Sequence, residues 1–353
     1  MSRAQRKQEH IRYALEIGQS RKNGFDDVIF VHQSLPECAI DQIELHTQIG
    51  ELSISSPIFI NAMTGGGGKQ TEQINEQLAI AARETNIPMA VGSQMSALKD
   101  PTERTSYEIV RKVNPTGIIF ANLGSEASVD QARMAVEMIE ANALQIHLNV
   151  VQELTMPEGD KDFRGMVDRI QNIIEKVDVP VIVKETGFGM SREAAQTLTE
   201  IGVAAIDVGG YGGTNFAAIE NARRKRMLNY FNDWGIPTVA SIVETKEGAK
   251  DLDIIASGGI QTSLDVVKSI SLGASLCGLA GFVLKKLQEH SIEGVIEEIQ
   301  HIHEDIRFIM CALGAPHLSA LRHIPLLITG KMREWLELRG LHPERFSMRS
   351  LKK

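Results

Sequence analysis

Residues 180–214 read PVIVKETGFGMSREAAQTLTEIGVAAIDVGGYGGT. Two apolar runs of strand length, Pro180–Lys184 and Ala204–Val208, flank a stretch of helix length, Ser191–Ile201. Each run is mostly apolar rather than alternating, as expected of a parallel strand whose two flanks are covered by helices. Each also ends in polar or glycine residues. Lys184-Glu185 follow the first, and Gly209-Gly210-Tyr211-Gly212-Gly213-Thr214 follow the second. A single unit of this kind fits any α/β sheet, so recurrence decides the fold.

The same rhythm runs outward in both directions. Pro57–Ala62, Pro88–Gly92, Gly117–Asn122 and Leu144–Asn149 precede the pair, and Asp253–Ala256 and Ser275–Leu279 follow it. Thr238–Lys250 starts like a strand but is read as the helix before the seventh run, which closes the count at eight. Eight βα units between residues 57 and 281 predict an α/β fold of the (β/α)8 TIM-barrel type. A doubly wound open sheet is the alternative. Residues 5–17 predict a helix closed by Gly18, residues 20–50 are mixed and turn-rich, and residues 284–345 predict further helices outside the barrel. The whole chain, 1–353, is thus read as one domain. It has an N-terminal extension (1–50) that is a candidate cover for the mouth, a core (57–281) and C-terminal helices (284–353).

Composition narrows the classes. Of 353 residues 43% are hydrophobic, enough for one large core. Lys plus Arg number 37 against 45 Asp plus Glu, and the net charge of −8 argues against a nucleic-acid partner. It leaves room for a local basic pocket that takes an anionic small molecule. Cys38, Cys277 and Cys311 form no C-x-x-C pair, which argues against a disulfide framework or a Cys-rich zinc site and predicts a cytoplasmic protein. The first residues are charged, with no apolar segment of the signal-peptide kind, and no apolar run approaches the ~20 residues of a membrane span.

A barrel places its chemistry just after the strands, on the C-terminal face. Met63-Thr64-Gly65-Gly66-Gly67-Gly68-Lys69 resembles a phosphate loop, but Gln70 stands where Ser or Thr belongs and Met63 where the first Gly belongs. A plain tight turn fits it equally. Gly258-Gly259 and Ala280-Gly281, after the seventh and eighth runs, suit a backbone phosphate site; tight βα turns are the bland reading. Lys184 is read blandly as a lysine that snorkels to the rim or pairs with Glu185, and functionally as a Schiff-base lysine or a positive charge against the anionic edge of a reduced flavin. Glu153, with Gln152, His147 and Asn149 nearby, offers the one carboxylate that Mg2+ often takes beside substrate phosphates, or is simply solvated. Arg6, Lys7 and His10 are exposed basic residues unless the N-terminal arm folds over the mouth to grip an anion.

Taken together, the motifs are similar to those of the type 2 isopentenyl diphosphate isomerase family. They are Arg6-Lys7-x-Glu9-His10-Ile11, Ala62-Met63-Thr64-Gly65-Gly66, Gly92-Ser93-Gln94 and His147-Leu148-Asn149-x-x-Gln152-Glu153. Lys184-Glu185-x-Gly187, Gly212-Gly213-Thr214, Ser257-Gly258-Gly259-Ile260 and Ala280-Gly281 complete the set, in order from residue 6 to about 281.

The resemblance implies FMN- and Mg2+-dependent interconversion of isopentenyl and dimethylallyl diphosphate, with the reduced flavin acting as acid and base through N5 and NAD(P)H as its reductant. It implies FMN contacts from Ala62, Met63 and Thr64, from Ser93, Asn122 and Lys184, and from Gly209 and Thr214. Gly258, Gly259, Ala280 and Gly281 would complete the flavin site; at Gly209, where some members carry Ser, any contact would be from the backbone. Arg6, Lys7, His147 and Asn149 would meet the diphosphate, Gln152 would lie beside the isoprenyl chain, and Glu153 would hold Mg2+. Gln152, Lys184 and Glu220 are the catalytic candidates: Gln152 orients or relays, Lys184 stabilises the anionic flavin, and Glu220 is a second proton carrier. The family forms homo-oligomers, so a tetramer or octamer is expected, with no nucleic-acid or membrane partner.

Other flavin barrels fit less well. A 2-hydroxy-acid oxidase needs a His base and an Arg clamp near strand seven, and Ile255-Ala256-Ser257-Gly258-Gly259 has neither. An IMP dehydrogenase needs a cysteine in the loop 209–214, which has none. A Schiff-base aldolase and a non-catalytic flavoprotein stay open as different classes.

Overall fold

A computed structural model of the chain describes residues 22–63 and 68–350. Its strands in chain order are β1 (Val28–Phe30), β2 (Thr47–Ile49), β3 (Leu52–Ile54), β4 (Ile58–Ile60), β5 (Met89–Ala90) and β6 (Ile119–Gly124). They continue with β7 (Ala143–Leu148), β8 (Val181–Glu185), β9 (Ala205–Asp207), β10 (Asp253–Ser257), β11 (Leu276–Leu279) and β12 (Leu326–Ile328). Strands β4 to β11 close into one parallel barrel, with β11 pairing back onto β4. These eight are the runs expected from the sequence, and Thr238–Gly248 is the helix before β10. The open-sheet alternative is therefore wrong.

The strand period of two divides the barrel interior into layers. Phe59, Phe120, Ala143, Ile182, Ala205, Ile255 and Leu276 form one apolar layer, all fully buried. The rings of Phe59 and Phe120 lie 5.7 Å apart, tilted at 57°. Two residues further along the same strands come Asn61, Asn122, Gln145, Lys184, Asp207, Ser257 and Gly278. An apolar floor thus carries a polar storey at the C-terminal mouth.

The other end is sealed by a hairpin. Strands β2 and β3 pair antiparallel, and their Ile49 and Ile54 pack against the apolar layer. Burying each isoleucine contributes about 1.5–3 kcal/mol. Thr47 Oγ1 donates to Ser275 O at 2.7 Å, and Gly50 N donates to Asp253 Oδ2 at 2.9 Å, which pins the hairpin to the starts of β11 and β10.

Sequence signals set several helix starts. Ser128 and Thr262 form capping boxes with Gln131 and Asp265, and Ser191 caps the amide of Ala194. The C-terminal part differs from expectation in two ways. Helix Ile292–Leu313 packs between Ser263–Leu272 and Gly68–Thr85, so it completes the barrel's own helix ring rather than adding to it. Leu326–Ile328 is not helical; it pairs antiparallel with β1. Three alternately buried residues are too short a run to announce a strand. The predicted helix over 5–17 lies outside the described residues.

Candidate active site

The polar storey is held by one connected set of hydrogen bonds. Asn61 Nδ2 donates to Asp207 Oδ2 at 2.7 Å, and Gln145 Nε2 donates to Asn61 Oδ1 at 3.2 Å. Asn122 Nδ2 donates to Gln145 Oε1 at 3.2 Å, and His147 Nδ1 lies 3.0 Å from Asn122 Oδ1. Asp207 also bonds the hydroxyl of Ser257 and accepts the amide of Gly209 at 3.2 Å. A buried carboxylate without a cation must be satisfied this fully to remain in the interior. Below Asn122, the side chain of Gln94 spans two elements: its oxygen takes the Asn122 amide at 3.0 Å and its nitrogen donates to Ala135 O at 2.9 Å.

Above this floor opens a cavity of about 300 Å³. Its glycine side is built from backbone packed on backbone. A side chain at Gly258 (φ +107°) would put Cβ 2.1 Å from Gly210 O, and one at Gly259 (φ +74°) would put it 2.3 Å from Gly212 O. Asn23 braces this pair by donating to Gly259 O at 2.7 Å, while Thr238 Oγ1 donates to Gly258 O at 2.5 Å. Beside them starts helix Gly281–Glu289, whose N-terminal residue Ala280 supplies no side-chain cap. Free first-turn amides, a favourable dipole end and two bare glycines are what a phosphate monoester needs. Ala62, Met63, Ile260 and Leu284 give the neighbouring wall an apolar face. The residues present therefore fit FMN.

Lys184, on β8, is buried and lines the cavity. Its Nζ donates to the main-chain oxygen of Glu185 at 2.6 Å. The Glu185 carboxyl turns away and accepts the amides of Phe188 (2.6 Å) and Gly189 (3.1 Å). Burial pushes that carboxyl up to about 8, against the opposing pull of the two amides and of Lys184. The side-chain pairing of Lys184 with Glu185, one of the bland readings, is thus not what the hydrogen bonds record.

The outer rim comes from the end of β7 and the short helix Val150–Thr155. Asn149 Nδ2 donates to Glu153 Oε1 at 2.9 Å, and the Asp160 amide donates to Glu153 Oε2 at 2.8 Å. Gln152 Nε2 lies 3.4 Å from Glu220 Oε1. Glu220 itself is wholly buried in helix Phe216–Ala222, paired with Arg223 at 2.5 Å, and stands behind Gln152 rather than in the cavity wall. Among the described residues no three His, Cys, Asp or Glu side chains gather to hold a metal. A single carboxylate fits Mg2+ only with phosphate oxygens and water completing its octahedron, and Glu153 is the one carboxylate at this rim that could take that part.

Of the residues expected from the sequence, Ala62, Met63, Ser93, Asn122, His147, Asn149, Gln152, Glu153 and Lys184 line this one cavity. Gly209, Thr214, Gly258, Gly259, Ala280 and Gly281 do so as well. Arg6, Lys7 and Thr64 lie outside the described residues. Sequence reasoning passed over Asn61, Gln145 and Asp207, and Glu185 as more than a neighbour of Lys184. The available signal was a polar residue two places beyond a buried apolar one in strand after strand.

Residues 103–326 match the family described as FMN-dependent dehydrogenase. The chain is 57% identical over 353 residues to the isopentenyl-diphosphate delta-isomerase of Bacillus pumilus (strain SAFR-032), covering 100% of this chain and 99% of that one. It is 58% identical over 349 residues to the protein of the same name from Geobacillus sp. (strain WCH70), covering 99% and 100%. Among solved structures, a flavocytochrome b2 mutant with pyruvate bound superposes with a TM-score of 0.69 at 18% identity, covering 92% of this chain and 84% of that one. A mandelate oxidase mutant with the monooxide FMN adduct gives 0.66 at 18% identity, covering 88% and 94%. These two share the fold with this chain.

Proposed function

The chain belongs to the isopentenyl-diphosphate delta-isomerase family, within the FMN-dependent barrels, and from that premise we propose how its residues divide the work. The substrate pair is isopentenyl and dimethylallyl diphosphate. One observation carries the proposal: a glycine-walled cleft at a helix start and the His147–Glu153 rim open into the same cavity. Two anionic groups, one on the cofactor and one on the substrate, then have separate seats.

Ser93, Asn122, Lys184, Thr214 and the backbones at 62–64, 209, 258–259 and 280–281 hold FMN in this reading. Reduced FMN, when bound, supplies acid–base chemistry at N5 that moves a double bond without net oxidation. Lys184 brings a buried positive charge to the flavin side of the cavity, where solvent screens it little. His147 and Asn149, with Arg6 and Lys7, take the diphosphate, and Glu153 holds Mg2+ against it. Head-group anchoring fixes the hydrocarbon, which offers no polar handle of its own. Gln152 orients the isoprenyl chain; an amide is too weak an acid to do more alone. Glu220, behind Gln152, is the proton carrier that this amide would serve.

The reading includes NAD(P)H as the flavin's reductant, a homo-oligomer (tetramer or octamer) and a cytoplasmic location. Three cysteines outside any disulfide agree with a reducing compartment. Among the described residues no helix is long and apolar enough to cross a membrane.

The test is proton NMR of isopentenyl diphosphate in D2O under anaerobic conditions with protein, FMN, Mg2+ and a reductant. Deuterated dimethylallyl product is expected with reduced flavin and none with oxidised flavin. No product from protein shown to hold FMN would overturn the substrate assignment.

A further inference from the structure

The hydrogen bonds across the polar storey have a fixed sense, and it can be followed from end to end. The Ala62 amide can only donate, and it reaches Asn61 Oδ1 at 2.8 Å. Asn61 therefore turns its oxygen to Ala62 and its NH2 to Asp207, which accepts it at 2.7 Å. Two independent partners fix this first amide. The Asn61 oxygen also faces Gln145 at 3.2 Å, and only the NH2 of Gln145 can answer an acceptor. The Gln145 oxygen then points to Asn122, which must answer with its own NH2, at 3.2 Å. That leaves the Asn122 oxygen toward His147 Nδ1 at 3.0 Å. An acceptor in that place requires an N–H on the ring.

Asn61, Asn122, Gln145 and Asp207 are all at most 2% exposed, so water cannot substitute for a reversed amide. Turning any one of them would set donor against donor or acceptor against acceptor in the interior.

We infer that Gln145, acting through Asn122, holds His147 as its Nδ1–H tautomer, so that the proton this ring gains and loses is the one on Nε2. Gln145 and Asn61 are positioning residues: neither needs to touch a reacting atom. The neutral ring carries a lone pair at Nε2, and only the doubly protonated ring has a donor there. An anion of the diphosphate class meeting His147 at Nε2 is thus bound together with a proton. This last consequence rests on the proposed substrate contact; the tautomer does not.

The FMN-loaded protein labelled with [15N]histidine decides the matter by magic-angle-spinning 15N spectroscopy, with His147→Gln assigning the resonances. Above the ring's pKa, His147 is expected to show a protonated Nδ1 and a bare Nε2. A bare Nδ1 in the wild-type protein overturns the inference, and that result depends on no variant. Gln145→Met removes the amide at similar volume and is expected to let an Nε2–H form appear at a population comparable with the Nδ1–H form. An unchanged single tautomer there overturns the role of Gln145. Gln145→Glu, studied at a pH where this buried carboxyl is protonated so that its hydroxyl replaces the NH2 toward Asn61 Oδ1, keeps an acceptor toward Asn122 and is expected to retain the single Nδ1–H form; its loss counts against the chain of bonds. Inorganic diphosphate with Mg2+ is then expected to move the Nε2 signal to its protonated position and leave Nδ1 in place, whereas movement at Nδ1 overturns the assignment of the labile proton. No movement at either nitrogen overturns the proposed substrate contact, while the ligand-free spectra still decide the tautomer.

Discussion

Lys184 and Glu185 are sequence neighbours whose ammonium and carboxyl groups face different partners. The ammonium bonds the Glu185 main-chain oxygen at 2.6 Å, and the Glu185 carboxyl closes the turn over Phe188 and Gly189. The lysine charge is thus held in place by a neutral group. It stays available to whatever occupies the cavity.

Lys184→Met keeps the stem and removes the charge. The bound flavin of this variant is expected to have a more negative midpoint potential, with reduced FMN held at least about tenfold less tightly relative to oxidised FMN, or ~1.4 kcal/mol. Potentiometric titration of the bound flavin measures it. An unchanged potential would remove Lys184 from the flavin's electrostatics, and borohydride trapping of Lys184 with a carbonyl compound would favour the Schiff-base reading.

Glu185 gives a pH signature. Its carboxyl stands at about 8 in the folded protein against 4.5 as the ordinary value. A raised carboxyl contributes its stability in full below about 4.5 and loses it as pH rises through about 8. Glu185→Gln does not titrate. The difference in Tm between wild type and variant is therefore expected to move in the variant's favour from pH 5 to pH 8.5. A difference that stays flat would place the carboxyl's titration elsewhere.

Gly258→Ala introduces a Cβ 2.1 Å from the Gly210 oxygen, at a backbone φ of +107° that alanine rarely adopts. The two glycine loops must separate to accept it. The prediction is a Kd for FMN raised at least about tenfold, read by fluorescence quenching, with a cost of roughly 1–3 kcal/mol in denaturant unfolding of the apoprotein. FMN affinity equal to wild type would dissociate this cleft from the cofactor.

Glu153→Gln keeps one acceptor oxygen for Asn149, gives up the one that takes the Asp160 amide, and removes the charge. Its activity is expected to need at least about tenfold more Mg2+ for half-saturation, in line with losing the single carboxylate ligand. Flavin content should stay at the wild-type level. Unaltered Mg2+ dependence would send the metal to another ligand.

The sequence exposed the barrel because its strands are buried on both sides and so read as unbroken apolar runs. The glycine pairs and the His147–Glu153 segment were visible because such residues interrupt that pattern at each strand end. Asp207 and Gln145 were harder to see. Each sits inside its own apolar run, Ala204–Val208 and Leu144–Asn149, and only the closed barrel brings its side chain within hydrogen-bond reach of Asn61. The pairing of β1 with β12 joins residues 28–30 to 326–328, and three-residue segments so far apart carry no local mark.

The Ile49–Ile54 hairpin has a kinetic meaning beyond the energy it buries. With the interior filled by the apolar layer and that end covered by the hairpin, the mouth serves both arrivals and departures. Molecules seated in it form a queue: whatever lies deepest enters first and leaves last. An occupant of the floor is then a long-term resident during turnover, while the one above exchanges freely. Resident and visitor are thereby distinguished by depth.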